Sequence, residues 1–318
     1  MHAADGPSLR QVGEFAVIDR IVAGRQRPAV VSVGPGDDAA VLAAPDGRIV
    51  VTTDMLIEGR HFRFDWSTPH DVGRKAIAQN AADVEAMGAA VTGFVVAFGA
   101  PPDTPVGRVD QFTDGMWAEA AAVGAGIVGG DLVASPQWVV SVTALGDLQG
   151  RDPVLRSGAR AGSLIAVAGE LGRSAAGFAL WRNGIEDFPE LRDRHRAPRP
   201  PYGQGRAAAD AGAQAMTDVS DGLLADLGHI AAASGVVVDL RGAALREDVD
   251  AVTSAAQAVD ADPWALVLGG GEDHALVGCF PDYPPHGWRV IGAVRAGTPQ
   301  VLLDGREWPG SPGWESYG

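Results

Sequence analysis

Two consecutive α/β domains are what this 318-residue sequence predicts. Short β-branched runs alternate with stretches of helical period along the whole chain. The length suits two domains of roughly 100–200 residues each. The sequence turns polar and rich in turn residues once, from Asp147 to Gly162, before a strand-like run restarts at Leu164. The boundary is therefore set near Gly146, giving domains 1–146 and 147–318.

In the first domain, Phe15, Ile18, Ile21 and Val22 have the spacing of an amphipathic helix that ends before Gly24. Val30 to Val33 predicts a strand running into GPGDDAAVL, and Ile49 to Thr53 a second strand ending at Asp54. Thr68, Pro69 and Asp71 form a helix start, with Thr as N-cap, Pro at the first helical position and an acid three residues after the cap. That helix should reach about Met87, with Val72, Ala76, Ile77 and Val84 toward the core and Gln79, Asn80 and Asp83 on a polar face. A strand at Val91 to Phe98, a helix from about Val109 to Val123, a turn at Gly129-Gly130-Asp131 and a strand at Trp138 to Leu145 follow.

The second domain reads as strand Leu164 to Ala168, then a loop or lobe connection at Arg192 to Arg206, with its three prolines and five arginines. Strand Ala215 to Val219, helix Leu223 to Ala233, strand Val236 to Leu240 and a helical stretch to about Leu268 come next. Strands near His274 to Phe280, Arg289 to Val294 and Gln300 to Leu303 complete it.

With 40 Asp+Glu against 25 Lys+Arg, the net charge of -15 excludes nucleic-acid binding through a broad basic face. A polyanionic ligand must then be held by metal ions or by a few local arginines. The longest uncharged stretch, Ala86 to Pro102, is too short and too broken by glycine and proline to span a membrane. The segment MHAADGPSLR has an acid at Asp5 and no apolar h-region, so it does not read as a secretory signal. The single cysteine, Cys279, excludes an intrachain disulfide and a CxxC motif. A cytoplasmic location is expected.

The chemistry is expected at a recurrence of aspartates: Asp37-Asp38, Asp54, Asp131 and Asp218-x-x-Asp221 follow strands or sit beside glycines, and Asp83 lies on a helix face. Hard carboxylate oxygens are what Mg2+ selects, with waters and substrate phosphates completing its octahedron. The structural alternative is that these aspartates form Asx-turns and caps, and Asp221 or Ser220 would cap the helix that begins at Leu223. Thr52-Thr53-Asp54 sets hydroxyl and backbone oxygens beside a carboxylate as a metal cradle, or is simply a β-branched strand end. Gly129-Gly130-Asp131 is either a turn or a place where backbone amides approach a phosphate while Asp131 takes its metal. Gly269-Gly270-Gly271-Glu272-Asp273 is costly in entropy unless the backbone needs those glycines. Lys75, the only lysine, is a phosphate or structural contact or else a helix-surface charge; His61 is a substrate contact or a loop histidine. Trp314 and Tyr317 stack on a ligand or fasten the C-terminal end. No P-loop, HExxH, GxSxG or strand-to-helix GxGxxG is present.

In order, GEF at Gly13, GDDAAVL at Gly36, TTDMLIEGRHF at Thr52, RKAIAQNAADVEAMGA at Arg74, GGD at Gly129, LRSGARAG at Leu155, VSDGLLADLGHI at Val219, GGGEDHAL at Gly269 and WESY at Trp314 cover nearly the whole chain. This series resembles the thiamine-monophosphate kinase family, within the superfamily of aminoimidazole ribonucleotide synthetase. The resemblance implies an N-terminal domain that binds ATP and metal, its sheet pairing with that of a dimer mate into a barrel. It implies a C-terminal α/β sandwich completing the substrate site. Asp38, Thr52, Thr53, Asp54, Asp83, Asp131, Asp218 and Asp221 would be Mg2+ ligands. Gly130, Asp131, Arg156 and Ser220 would contact ATP, and His61, Glu272 and Trp314 would hold thiamine monophosphate. The implied reaction is Mg-dependent, direct in-line phosphorylation of thiamine monophosphate to thiamine diphosphate, the final step of that biosynthesis, in a homodimer and without a general base. The family's GGEDYEL is here Gly270-Gly271-Glu272-Asp273-His274-Ala275-Leu276, which lacks its Tyr and second Glu. The alternatives are another ATP-using member of the superfamily, or a non-catalytic module that binds divalent ions.

Overall fold

The computed structural model describes residues 6–26, 28–33 and 40–313. The chain divides into two compact units, one of Met1–Val84 and Ala90–Gln149, the other of Glu85–Ala89 and Gly150–Gly318. Both are mixed α/β, the expected fold class.

The first unit contains α1 (Leu9–Val12), α2 (Glu14–Val22), β1 (Val31–Val33), β2 (Val41–Leu42), β3 (Val50–Ile57), α3 (Pro69–Ala86), β4 (Ala90–Ala100), α4 (Val106–Ala122), β5 (Ile127–Ala134) and β6 (Val139–Asp147). Strands β3, β6, β4 and β5 form a four-stranded sheet in that order, antiparallel except for the parallel pair β4 and β5. Residues alternate between the two faces of a strand. On one face Leu56, Val96, Phe98, Val140, Val142 and Ala144 are buried, and Phe98 meets Phe112 of α4 with ring centroids 4.8 Å apart.

Helix α3 starts as its sequence dictates. The amide and hydroxyl of Thr68 donate to Asp71 Oδ2 at 2.9 and 2.8 Å, and the Asp71 amide donates to Thr68 Oγ1 at 3.2 Å, a reciprocal cap closed by Asp instead of Glu. Val72, Ala76, Ile77 and Val84 are buried as expected. The expected polar face is not a solvent face, since Gln79 and Asn80 are buried with them. Nor is Lys75 a surface charge: it is 1% exposed and its Nζ donates to the His61 carbonyl at 3.1 Å. Two further expectations are corrected here. Strand β3 runs past Asp54 to Ile57, and Gly129-Gly130-Asp131 lies inside β5, not in a turn. At Gly130 a Cβ would lie 2.2 Å from the Val96 carbonyl oxygen, so the close approach of β4 already requires a glycine there.

The second unit holds β7 (Leu164–Ala168), α5 (Arg173–Arg182), α6 (Pro189–Arg196), α7 (Gln204–Asp210), β8 (Ala215–Asp218), α8 (Leu223–Ser234), β9 (Val237–Leu240), a 3-10 turn at Gly242–Leu245, α9 (Arg246–Ala258), α10 (Pro263–Gly269), β10 (Leu276–Phe280), β11 (Trp288–Arg295) and β12 (Gln300–Leu303). Its six-stranded sheet has the order β12-β9-β11-β7-β10-β8, antiparallel except where β12 joins β9. Ile165, Val167, Val277 and Cys279 of the central strands pack in one core with Leu223, Leu227 and Ile230 of α8 and Val249 and Val252 of α9. The arginine- and proline-rich segment is more ordered than its composition suggests, because Pro189 starts α6 and the helix carries Arg192, Arg194 and Arg196. Among the described residues no helix is long and apolar enough to cross a membrane.

Replacing Thr68 by Ala removes the cap of α3 and should lower stability by about 1 kcal/mol. Urea denaturation checks this, with an unchanged m-value expected.

Candidate functional site

Asp38 and Trp314 lie outside the described residues. The other sequence-selected side chains fall into two groups, one in each unit.

In the first unit, pleating sorts them. Thr52 and Asp54 share the face of β3 that carries buried Leu56, and α3 supplies their partners. Thr52 Oγ1 donates to Asp83 Oδ2 at 2.8 Å, and the Asp54 amide donates to Asn80 Oδ1 at 3.0 Å. Asn80 Nδ2 in turn donates to the Ala76 carbonyl at 2.9 Å, which sets the orientation of its amide. Thr53 is on the opposite face, where its hydroxyl donates to the Val142 carbonyl at 2.9 Å. The expected side-chain cradle of Thr52, Thr53 and Asp54 is thus split by the strand's period of two. Asp131 is also on Thr53's face, in the cross-strand row Met55, Ser141, Ala97 and Asp131. It is exposed, and its Oδ1 accepts from the Leu132 amide at 3.0 Å. His61 Nδ1 accepts from the Ile57 amide at 3.0 Å, so that nitrogen is unprotonated and any ring proton sits on Nε2.

In the second unit, two loops run alongside each other. The Val219 amide donates to the Ala275 carbonyl, the Glu272 amide to the Ser220 carbonyl and the His274 amide to the Val219 carbonyl, each at 2.8 Å. A Cβ on Gly271 would lie 2.5 Å from the Ser220 oxygen, which accounts for glycine at that position without a ligand. Glu272 and His274 themselves have φ of 63° and 52°, a left-handed backbone that side-chain-bearing residues seldom adopt.

Neither Ser220 nor Asp221 caps α8 with its side chain. Asp226, one turn inside the helix, reaches back and accepts the amides of Ser220, Asp221 and Gly222 at 3.0, 3.1 and 3.1 Å. Its carboxyl is pushed up to about 7, by burial first and then by the charges of Asp218 and Asp221. Asp218, buried at the end of β8, has Oδ2 3.1 Å from His274 Nδ1. Asp273 accepts the Gly172 and Ser174 amides at 2.6 and 2.8 Å and so caps α5 from a distant loop; burial pushes it up to about 7 against those bonds. Glu272 Oε2 lies 3.2 Å from Nδ1 of buried His195. Arg156 is exposed, with its carbonyl accepting from Ser234 Oγ at 3.1 Å.

Asp226 and His195 were not picked out by sequence reasoning, and Asn80 was read only as part of a polar helix face. A weak signal existed for Asp226 and Asn80: an acid in the first turn of a helix that follows Ser-Asp-Gly, and an amide within an otherwise apolar helix. Cys279, in β10, is buried and pushed up to about 12, so it is no nucleophile. Among the described residues no three His, Cys, Asp or Glu side chains gather into a ready metal cage. A Mg2+ site does not need one, since this ion is usually held by one or two carboxylates with waters and substrate phosphates. The oxygen-only acids at Asp54 and Asp83, and at Asp218 and Asp221, fit that habit.

The family model described as AIR synthase related protein, N-terminal domain, matches residues 36–148, and its C-terminal counterpart matches residues 160–278. The chain is 67% identical over 316 residues to the thiamine-monophosphate kinase of Mycobacterium tuberculosis, covering 99% of this chain and 95% of that one. The crystal structure of thiamine-monophosphate kinase from Stenotrophomonas maltophilia is similar at TM-score 0.77 and 32% identity, over 92% of this chain and 97% of that one. AaThiL complexed with AMPPCP and TMP is similar at TM-score 0.75 and 28% identity, over 98% and 99% of the two chains.

Because the Asp273 carboxyl is raised in the fold, the native state keeps a proton there that the unfolded chain releases near pH 4. Its contribution to stability is full below about pH 4 and is lost as the pH climbs through about 7. Asp273→Asn should therefore gain stability relative to the parent chain across that interval. Parallel urea titrations at several pH values check this; a constant difference would contradict it.

Proposed function

The chain belongs to the AIR synthase related family and, within it, to the thiamine-monophosphate kinases, and from that membership we propose that it transfers the γ-phosphoryl group of ATP to thiamine monophosphate, yielding thiamine diphosphate. The observation that carries the reading is the likeness over nearly the full length, which includes a solved relative complexed with AMPPCP and TMP. The geometry supports it with acids whose backbones are held in place by other side chains.

The acceptor is a phosphate monoester whose second pKa is about 6, so its oxygen is already a nucleophile near neutral pH and needs no general base. What the protein must supply is alignment and relief of repulsion between two anions. Bound Mg2+ would supply that relief by neutralising charge on the β and γ oxygens of ATP. Asp54 and Asp83 would hold one such ion in the first unit, and Asp218 and Asp221 another in the second. Thr52 orients Asp83, Asn80 fixes the backbone at Asp54, and Asp226 fixes the backbone at Asp221. Thr53 and Asp131 lie on the other face of the sheet, where Asp131 would contact ATP, and the backbone of Gly130, one residue before it in β5, is a further ATP candidate. Arg156 and Ser220 remain ATP candidates, and His61 and Glu272 candidates for thiamine monophosphate.

We also propose a homodimer. Every large exposed apolar side chain of the four-stranded sheet falls on one face: Val51 is 63% exposed, Met55 50%, Val133 51% and Val95 36%. Monomers seldom leave such a contiguous patch open, and a second copy pairing its own sheet face there would cover it.

Two experiments test these readings. A coupled ADP-release assay should show turnover that depends on both Mg-ATP and thiamine monophosphate, with Asp221→Asn reducing it by about a hundredfold, a loss of about 2.7 kcal/mol of charge stabilisation, while remaining folded. ADP release indifferent to thiamine monophosphate would contradict the assignment. Sedimentation equilibrium at micromolar concentration should give twice the 32.7 kDa chain mass; a purely monomeric species would contradict the dimer.

A further inference from the structure

Of the buried titratable groups in the second unit, His195 has no part in the phosphoryl transfer just described. It sits near the end of α6 with its ring centroid 5.1 Å from that of Phe178 on α5. Its Nδ1 lies 3.2 Å from Glu272 Oε2 and 3.3 Å from Ser174 Oγ. The same Ser174 donates its amide to Asp273, the neighbour of Glu272. The Glu272 backbone is fixed from the other side, through its amide on the Ser220 carbonyl and a left-handed φ of 63°. A left-handed residue at a loop tip can aim its side chain in few directions, and a buried imidazole donor beside the carboxylate selects one of them.

We propose that His195 is a positioning residue that holds the Glu272 carboxylate ready for the cationic, aminopyrimidine-bearing part of thiamine monophosphate, an inference that rests on the assignment of Glu272 to that substrate. A free glutamate side chain gives up rotamer entropy when a ligand orders it. A carboxylate ordered beforehand spares the ligand that cost, so affinity for the substrate is what His195 controls. The thiazolium charge and the amino group of the pyrimidine suit an anionic acceptor. The imidazole contributes the Nδ1 proton as a donor to Glu272 and takes part in no bond making or breaking.

The test is steady-state kinetics on the full chain, with thiamine monophosphate and ATP varied in turn. His195→Leu should raise the KM for thiamine monophosphate about tenfold, with the KM for ATP and kcat within about twofold of the parent. His195→Asn places an amide nitrogen where Nδ1 stood and should restore most of the loss. His195→Gln, whose amide reaches the Nε2 position, should not, and this pair decides the matter even if the Leu variant fails to fold. In a Glu272→Ala background, removing His195 should cost nothing further. Equal rises in both KM values, rescue by Gln as good as by Asn, or additive effects of the two substitutions would overturn the proposal. A Glu272→Ala variant with an unchanged KM for thiamine monophosphate would instead remove the premise that Glu272 meets the substrate, and the proposal with it.

Discussion

A buried carboxylate that collects backbone amides is the interaction on which the second unit's acidic loop depends. Asp226 accepts three consecutive N–H groups, from Ser220 to Gly222, that would otherwise be unsatisfied at the start of α8. These amides favour the charged carboxylate against its burial and set the path of the turn. Because Asp226 takes the capping role, Asp221 is released from it and its carboxylate is left for other chemistry. Asp273 repeats the device on α5, where it caps the helix from a loop that is far away in sequence. The two carboxylates share a physical signature: burial raises both to about 7 while the amides they hold oppose the shift.

The first unit answers a different constraint, the two-residue period of a strand. Pleating directs Thr52 and Asp54 to the face where Asn80 and Asp83 of α3 await them, and sends Thr53 and Asp131 to the open face with Val51, Met55, Val95 and Val133. Consecutive residues that look like one cradle in the sequence therefore direct their side chains to opposite faces of the sheet. Within α3, Lys75 and Asn80 are buried to hold the His61 carbonyl and the Asp54 amide.

Local features were legible in the sequence because their causes are local. The start of α3 follows from Thr68, Pro69 and Asp71, and the strand and helix around Val219 from a β-branched run broken by Ser-Asp-Gly. The α/β class and the family followed from motif order. Two kinds of error came from reading locally what is decided at a distance. The segment Arg192 to Arg206 suggested a loop, yet its start belongs to a helix with Leu191 and His195 as its buried side, and the loop itself is confined to residues 197–203. Gly129-Gly130-Asp131 suggested a turn, yet it lies inside β5, where Gly130 meets the Val96 carbonyl of a neighbouring strand that no local pattern reveals. The His195 to Glu272 contact was invisible for the same reason: the two residues meet only through the packing of α6 on α5.

In the proposed reaction the carboxylates act by holding metal, and no side chain receives the phosphoryl group. Among the described residues Cys279 is a buried, proton-holding thiol, Asp226 is engaged with backbone amides and Asp218 faces His274, so none of these three is arranged as a covalent relay. Stereochemistry at phosphorus tests this most directly. With ATP made chiral at the γ-phosphate, a single displacement onto thiamine monophosphate gives inversion in thiamine diphosphate, which is the predicted result; retention would establish a phosphorylated protein intermediate and contradict the account.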